Sequence, residues 1–138
     1  MNIDSIYNGY VIDHIPAGEG MKLYQFMNLS ELSCPVAMIM RAPSKRMGSK
    51  DIIKIDGNIP LNLDVVGYLC PGATVNVIRG GECTEKRTLS LPKTLTDVVC
   101  CRNPRCICSV EPSLHQIFIL TDSSKKTYRC YYCDAKLS

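Results

Sequence analysis

An α+β fold in two parts is what this 138-residue sequence predicts, and three observations carry that reading. Over residues 9–79, short β-branched runs alternate with two stretches of helical apolar period. Near the C-terminus, four of the nine cysteines stand in two close pairs. Between these regions, Thr84–Asp97 (TEKRTLSLPKTLTD) shows no clear period and contains Pro92, as a linker would. The parts are therefore drawn at residues 1–90 and 91–138.

Gly9–Ile15 (GYVIDHI) is short, β-branched and closed by Pro16, which predicts a first strand ending at a turn. Gly18–Leu29 places Leu23, Phe26 and Met27 at i, i+3 and i+4, the spacing of a helix with one buried face. Pro35–Ala42 and Lys50–Asp56 are two apolar runs around the basic, turn-rich Pro43–Gly48, and read as a hairpin. Asn62 offers an N-cap before Val65, Val66 and Leu69, and Pro71-Gly72 stops that helix near Cys70. Ala73–Arg79 supplies the last strand, closed at Gly80-Gly81. The order is β-α-β-β-α-β, a ferredoxin-like domain with both helices on one face of an antiparallel sheet. Downstream, Gln116–Thr121 and Thr127–Cys130 predict two strands around a turn at Asp122–Lys126, hence a small β-rich module.

Side-chain alternation along the strands indicates what occupies the sheet face without helices. With Val75, Val77, Ile53 and Ile55 under the helices, it places His14, Lys54 and Asn76 on the open face. A permanent ammonium, an imidazole and an amide among apolar neighbours would suit a small anionic ligand. Taken singly, a His and a Lys on strands more often simply face solvent.

The cysteine pattern is C-x4-C (Cys101, Cys106), 23 intervening residues, then C-x2-C (Cys130, Cys133). Each pair closes a knuckle that aims two thiolates at one point, and two knuckles complete a tetrahedral structural zinc site with no position left for water. Cys100 and Cys108 are the alternatives, but C-x5-C and C-x-C do not close the usual loop. One structural Zn²⁺ per chain follows, and some 40 residues with a thin core need that energy to fold. The nine cysteines, without a leader sequence, suit reduced thiols and a cytoplasmic address.

Charge and motifs exclude several function classes. Residues 85–138 hold nine Lys/Arg against five Asp/Glu, including Arg102, Arg105, Lys125, Lys126 and Arg129 near the knuckles. A nucleic-acid-binding zinc ribbon is therefore the alternative function. Four thiolates with one divalent cation bring the formal +3 to about +1, so a nucleic-acid partner is not expected. No apolar run approaches the roughly 20 residues of a membrane span, so no membrane is expected either. No catalytic motif is present, and His14 and His115 lie in different modules, so the chain reads as no enzyme. A small-molecule sensor of the amino-acid-binding type shares the βαββαβ layout.

Four blocks in order, VIDHIPAG at 11–18, MGSKDIIKID at 47–56, PGATVN at 71–76 and the cysteine tail, resemble the regulatory chain of aspartate carbamoyltransferase. The resemblance spans nearly the whole chain. It implies a non-catalytic subunit that binds CTP or ATP, in some members UTP beside CTP, and controls pyrimidine biosynthesis allosterically. It implies self-dimers through the N-terminal domain, three of which link two trimers of catalytic chains, with the zinc domain contacting the catalytic chain. By position, Asp13 resembles a ribose contact, while His14, Asn76 and Lys86 resemble residues near the triphosphate. Lys54 resembles one reaching base and ribose. Ile3 to Ile6, Val11, Ile52 and Ile78 resemble the base-pocket wall, and Lys50 is implied to attend a second nucleotide. This chain departs from the family at Gly81 and Cys83, where a Tyr and a Val are common, so that side of the base pocket is less walled. Strict alternation also sets Asp13 on the face opposite His14, which a ribose contact would require the strand to bend around.

Overall fold

The computed structural model describes residues 6–137. The chain divides into two compact units, Met1–Ser90 and Leu91–Ser138.

The first unit has strands β1 (Gly9–Pro16), β2 (Val36–Ser44), β3 (Gly48–Ile55), β4 (Thr74–Arg79) and β5 (Glu82–Thr88). Two helices, α1 (Gly20–Phe26) and α2 (Leu63–Leu69), complete the predicted β-α-β-β-α-β order. The strands form one antiparallel sheet in the order β2-β3-β1-β4-β5. Its core joins Leu23 of α1 and Val66 of α2 to Ile12, Ile15, Ile53, Ile55 and Val75 of the sheet.

Helix α1 is shorter than its apolar period predicts. Asn28 adopts a left-handed conformation (φ 53°), and a single 3-10 turn at Leu29–Glu31 follows. At its other end, Asp51 is fully buried and accepts backbone N–H bonds from Gly18 (3.0 Å), Gly20 (3.0 Å) and Arg41 (2.9 Å). One carboxylate thus ties the start of α1 and an irregular point of β2 to β3. Gly20 is required there, because a Cβ would lie 2.8 Å from the Asp51 carboxylate oxygen.

The predicted linker is largely structured. Glu82–Thr88 pairs with β4, and β6 (Thr94–Thr96) pairs with β7 (Ile117–Asp122) of the second unit, leaving only residues 89–93 between strands. Every residue of β5 is exposed, so no buried face imposes a period on its sequence.

In the second unit, β6, β7 (Ile117–Asp122) and β8 (Thr127–Cys130) form a three-stranded antiparallel sheet, and a four-residue helix α3 (Ile107–Val110) follows Cys106. Leu95, Phe118 and Tyr128 are its large buried side chains. This is the small β-rich module predicted around the cysteines. Among the described residues, no helix is long and apolar enough to cross a membrane.

Candidate functional site

The open face of the first sheet carries a cleft of about 480 Å³. Strand register assembles it. Val11 is paired with Lys54 on one side and Asn76 on the other, and Asn76 is paired with Lys86. Lys54, Val11, Asn76 and Lys86 therefore form one row across four strands, and paired residues on an antiparallel sheet share a face. Ile52 and Asp13 flank the row on one side, while Ile6, Ile78, Gly81 and Cys83 complete the lining. Eight of the residues expected at a nucleotide site line this cleft: Ile6, Val11, Asp13, Ile52, Lys54, Asn76, Ile78 and Lys86. Ile3 lies outside the described residues.

His14 and Lys50 are not among the lining residues. Alternation placed His14 beside Ile12 on the open face, but Ile12 is fully buried in the core. The register of β1 against β3 shifts between Ile12 and Ile15, and His14 takes φ 60° at this bulge. The shift lets Ile12 and Ile15 both point into the core and leaves Asp13 beside Val11 in the cleft. The face conflict between Asp13 and His14 disappears with the bulge. The His14 ring instead lies with Nδ1 3.1 Å from Thr74 Oγ1, and its backbone N–H donates to Asp13 Oδ1 at 2.6 Å.

Lys50 is paired with Asp13, with Nζ 2.9 Å from Oδ1. Burial opposes the Asp13 carboxylate, yet the bonds from Lys50 and the His14 N–H outweigh it and hold its pKa below the ordinary 3.8. Asp13 and Lys50 thereby neutralise each other, and Lys54 and Lys86 add two further basic side chains to the lining. Lys54 is buried and Lys86 exposed, so one ammonium is fixed by packing and the other stands at the solvent edge. The cleft presents two cations, an amide and apolar walls to an anionic ligand.

The second cluster is the cysteine quartet. The sulfurs of Cys101, Cys106, Cys130 and Cys133 all lie within 4.8 Å of one another. Cys101 to Cys133 and Cys106 to Cys130 are each 3.7 Å. Sulfurs at ~2.3 Å from a tetrahedral centre are separated by about 3.8 Å, so two opposite edges already have that length. The four donors fit one tetrahedral thiophilic ion. Two knuckles position them: Cys106 N–H donates to the Asn103 carbonyl (3.1 Å), and Asp134 N–H to the Cys130 carbonyl (2.9 Å). Gln116 links the first knuckle to the sheet, its Oε1 accepting from Cys101 N–H (2.9 Å) and its Nε2 donating to the Cys108 carbonyl (3.0 Å).

The thiols compete for charge. Burial pushes Cys101 up to about 12, whereas the backbone N–H of Ala135 leads the effects that draw Cys133 down to about 7. A divalent cation held by all four sulfurs must displace protons, which ties its affinity to pH. Cys108, a rejected alternative ligand, is buried with its sulfur 3.2 Å from that of Cys106 but lies outside the quartet. His115 is an exposed partner of Asp97 at 2.7 Å. Sequence spacing found the quartet; it gave no signal for the supporting roles of Gln116 and Asn103, which depend on folded loops.

Comparison with known proteins agrees with both halves. The profile described as aspartate carbamoyltransferase regulatory chain, allosteric domain, matches residues 1–90. The profile for the metal binding domain of the same regulatory chain matches residues 93–138. A relative from Bifidobacterium longum, named aspartate carbamoyltransferase regulatory chain, is 45% identical over 97% of this chain and 96% of its own length. Relatives of the same name from Clostridium acetobutylicum and Clostridium tetani are 46% and 43% identical, covering 97% of this chain and 92% and 94% of their own.

Proposed function

Because the chain belongs to the family of aspartate carbamoyltransferase regulatory chains, non-catalytic subunits with an allosteric and a metal-binding domain, we propose that its sheet cleft is a nucleoside triphosphate sensor. The observation that carries this reading is the row Lys54, Val11, Asn76 and Lys86 along one cleft of about 480 Å³. CTP and ATP are the effectors, with UTP a third candidate beside CTP. A triphosphate needs several donors and permanent charges, which Lys86, Asn76 and Lys54 provide. Asp13 takes the ribose hydroxyls, held in place by Lys50. His14 adds a titratable group at the bulge beside Asp13. Ile6, Val11, Ile52 and Ile78 wall the base.

The metal is Zn²⁺, in a structural role, since four thiolates are a soft, closed tetrahedral donor set. The zinc domain docks on catalytic chains, regulatory chains pair through their N-terminal domains, and three such dimers join two catalytic trimers in the cytoplasm. Nucleotide binding then biases a two-state equilibrium of that assembly, for which coupling of about 1–3 kcal/mol suffices. Calorimetric titration of the full chain with CTP and ATP tests the sensor. Micromolar to millimolar binding that Lys86→Ala weakens is expected, and binding indifferent to both Lys54→Ala and Lys86→Ala would refute it.

A further inference from the structure

The cleft has a charged region and an uncharged end. Register places Lys54, Asn76 and Lys86 in one row, with Ile78 and its partner Cys83 in the next row toward the β4–β5 turn. Gly81, in that turn, and Ile6 close the same end, and among the described residues no charged side chain lines it. A nucleotide with its triphosphate toward Lys86 and His14 and its ribose beside Asp13 and Lys54 directs its base toward this end.

Just beyond Gly81 stands Tyr7, whose side chain is among the most exposed large hydrophobics of the described residues, at 65%. Its backbone is nonetheless fixed to the turn. Gly81 N–H donates to the Tyr7 carbonyl (2.9 Å), and Gly80 N–H to the adjacent Asn8 Oδ1 (3.1 Å). The ring approaches the position where Gly81 lacks a side chain, since a Cβ there would be 3.9 Å from Tyr7 Cδ2. Gly81 has φ 81°, a left-handed conformation that favours glycine, so the gap between cleft and ring is built into the turn.

We infer that Tyr7 is a specificity-determining residue of the cleft, a stacking platform reached across Gly81 by the second ring of a purine. This rests on the nucleotide reading of the cleft. A pyrimidine is satisfied by the walls at Ile6 and Ile78. A purine extends one fused ring farther, over Gly81, and there meets an aromatic face that is anchored at its backbone but open to solvent. Stacking depends on the ring and not on the phenol hydroxyl, which separates this role from a hydrogen-bonding one.

The test is calorimetric titration of the full-length, zinc-loaded chain with ATP and with CTP, comparing the unaltered protein with Tyr7→Ala, Tyr7→Phe and Lys86→Ala. Tyr7→Ala is expected to weaken ATP binding at least about fivefold, the lower range of an aromatic–base stack, and CTP binding less than about twofold. Tyr7→Phe should leave both unchanged. Equal losses for the two nucleotides, or none, would overturn the role of Tyr7. If Lys86→Ala weakens both nucleotides while Tyr7→Ala weakens neither, the cleft reading stands and the Tyr7 inference fails. An unaltered chain that binds neither nucleotide overturns both.

Discussion

The two units of this chain are held together by different physics. The first rests on a continuous apolar core in which ten buried residues, from Ile12 to Val75, come from the sheet, its helices and their connections. The second has three large buried side chains, Leu95, Phe118 and Tyr128, beside a quartet of sulfurs. A core of the first kind stabilises by area removed from water, roughly 25 cal/mol per Å². A module of the second kind draws most of its stability from metal–thiolate bonds, for which about 10–16 kcal/mol is typical of structural zinc. Each unit is therefore vulnerable to a different loss.

The largest effect should follow loss of the metal. Cys133→Ser, or a strong chelator, is expected to remove hydrogen-exchange protection from β7 and β8 while β1, β3 and β4 keep theirs. Next comes Asp51→Ala in the first unit, which strands three buried or half-buried backbone N–H groups. Denaturant unfolding of the first unit should show a loss of about 2–4 kcal/mol, with the metal site unaffected. Lys54→Ala and Lys86→Ala should each weaken CTP and ATP at least about tenfold in titrations, because a charge-assisted contact contributes about 1.5–3 kcal/mol.

The smallest effect concerns Asp13 and Lys50, a partly exposed pair. Asp13 has a depressed carboxyl pKa, so its contribution is fully present above the ordinary 3.8 and is lost as pH falls through the lower folded value. Denaturation profiles of the unaltered protein and Asp13→Asn should differ by no more than about 1 kcal/mol near neutral pH and converge in strong acid. A difference that grew on acidification would have the wrong sign.

The same contrast governs what could be read from sequence. Wherever a segment buries one face, its period announced it: β3, β4, α2 and the core residues on them stand where alternation and capping put them, while β1 stands at its predicted place with Ile12 turned into the core against its alternation. Asn62, for example, caps α2 through its side chain, accepting from Asp64 N–H at 3.1 Å. The quartet was legible because knuckle spacing is covalent geometry. Three features were hidden for identifiable reasons. Strand β5 is exposed throughout and carries no period, so it read as linker. The bulge at Asp13–His14 reverses side-chain parity through one left-handed residue, and nothing local in VIDHIP distinguishes it from a regular strand. Asp51 sits in an apolar strand as if solvated, and its three N–H donors come from positions 18, 20 and 41. Such contacts exist only once the chain has folded.

In the proposed assembly, a nucleotide in the first unit controls catalytic chains gripped by the second. Carbamoyltransfer velocity against aspartate, measured with catalytic trimers reconstituted with this chain, tests it most directly. CTP or ATP is expected to shift the half-saturating aspartate concentration, and Lys86→Ala to remove the shift while assembly persists. Superimposable curves with and without saturating nucleotide, from an assembled complex, would contradict it.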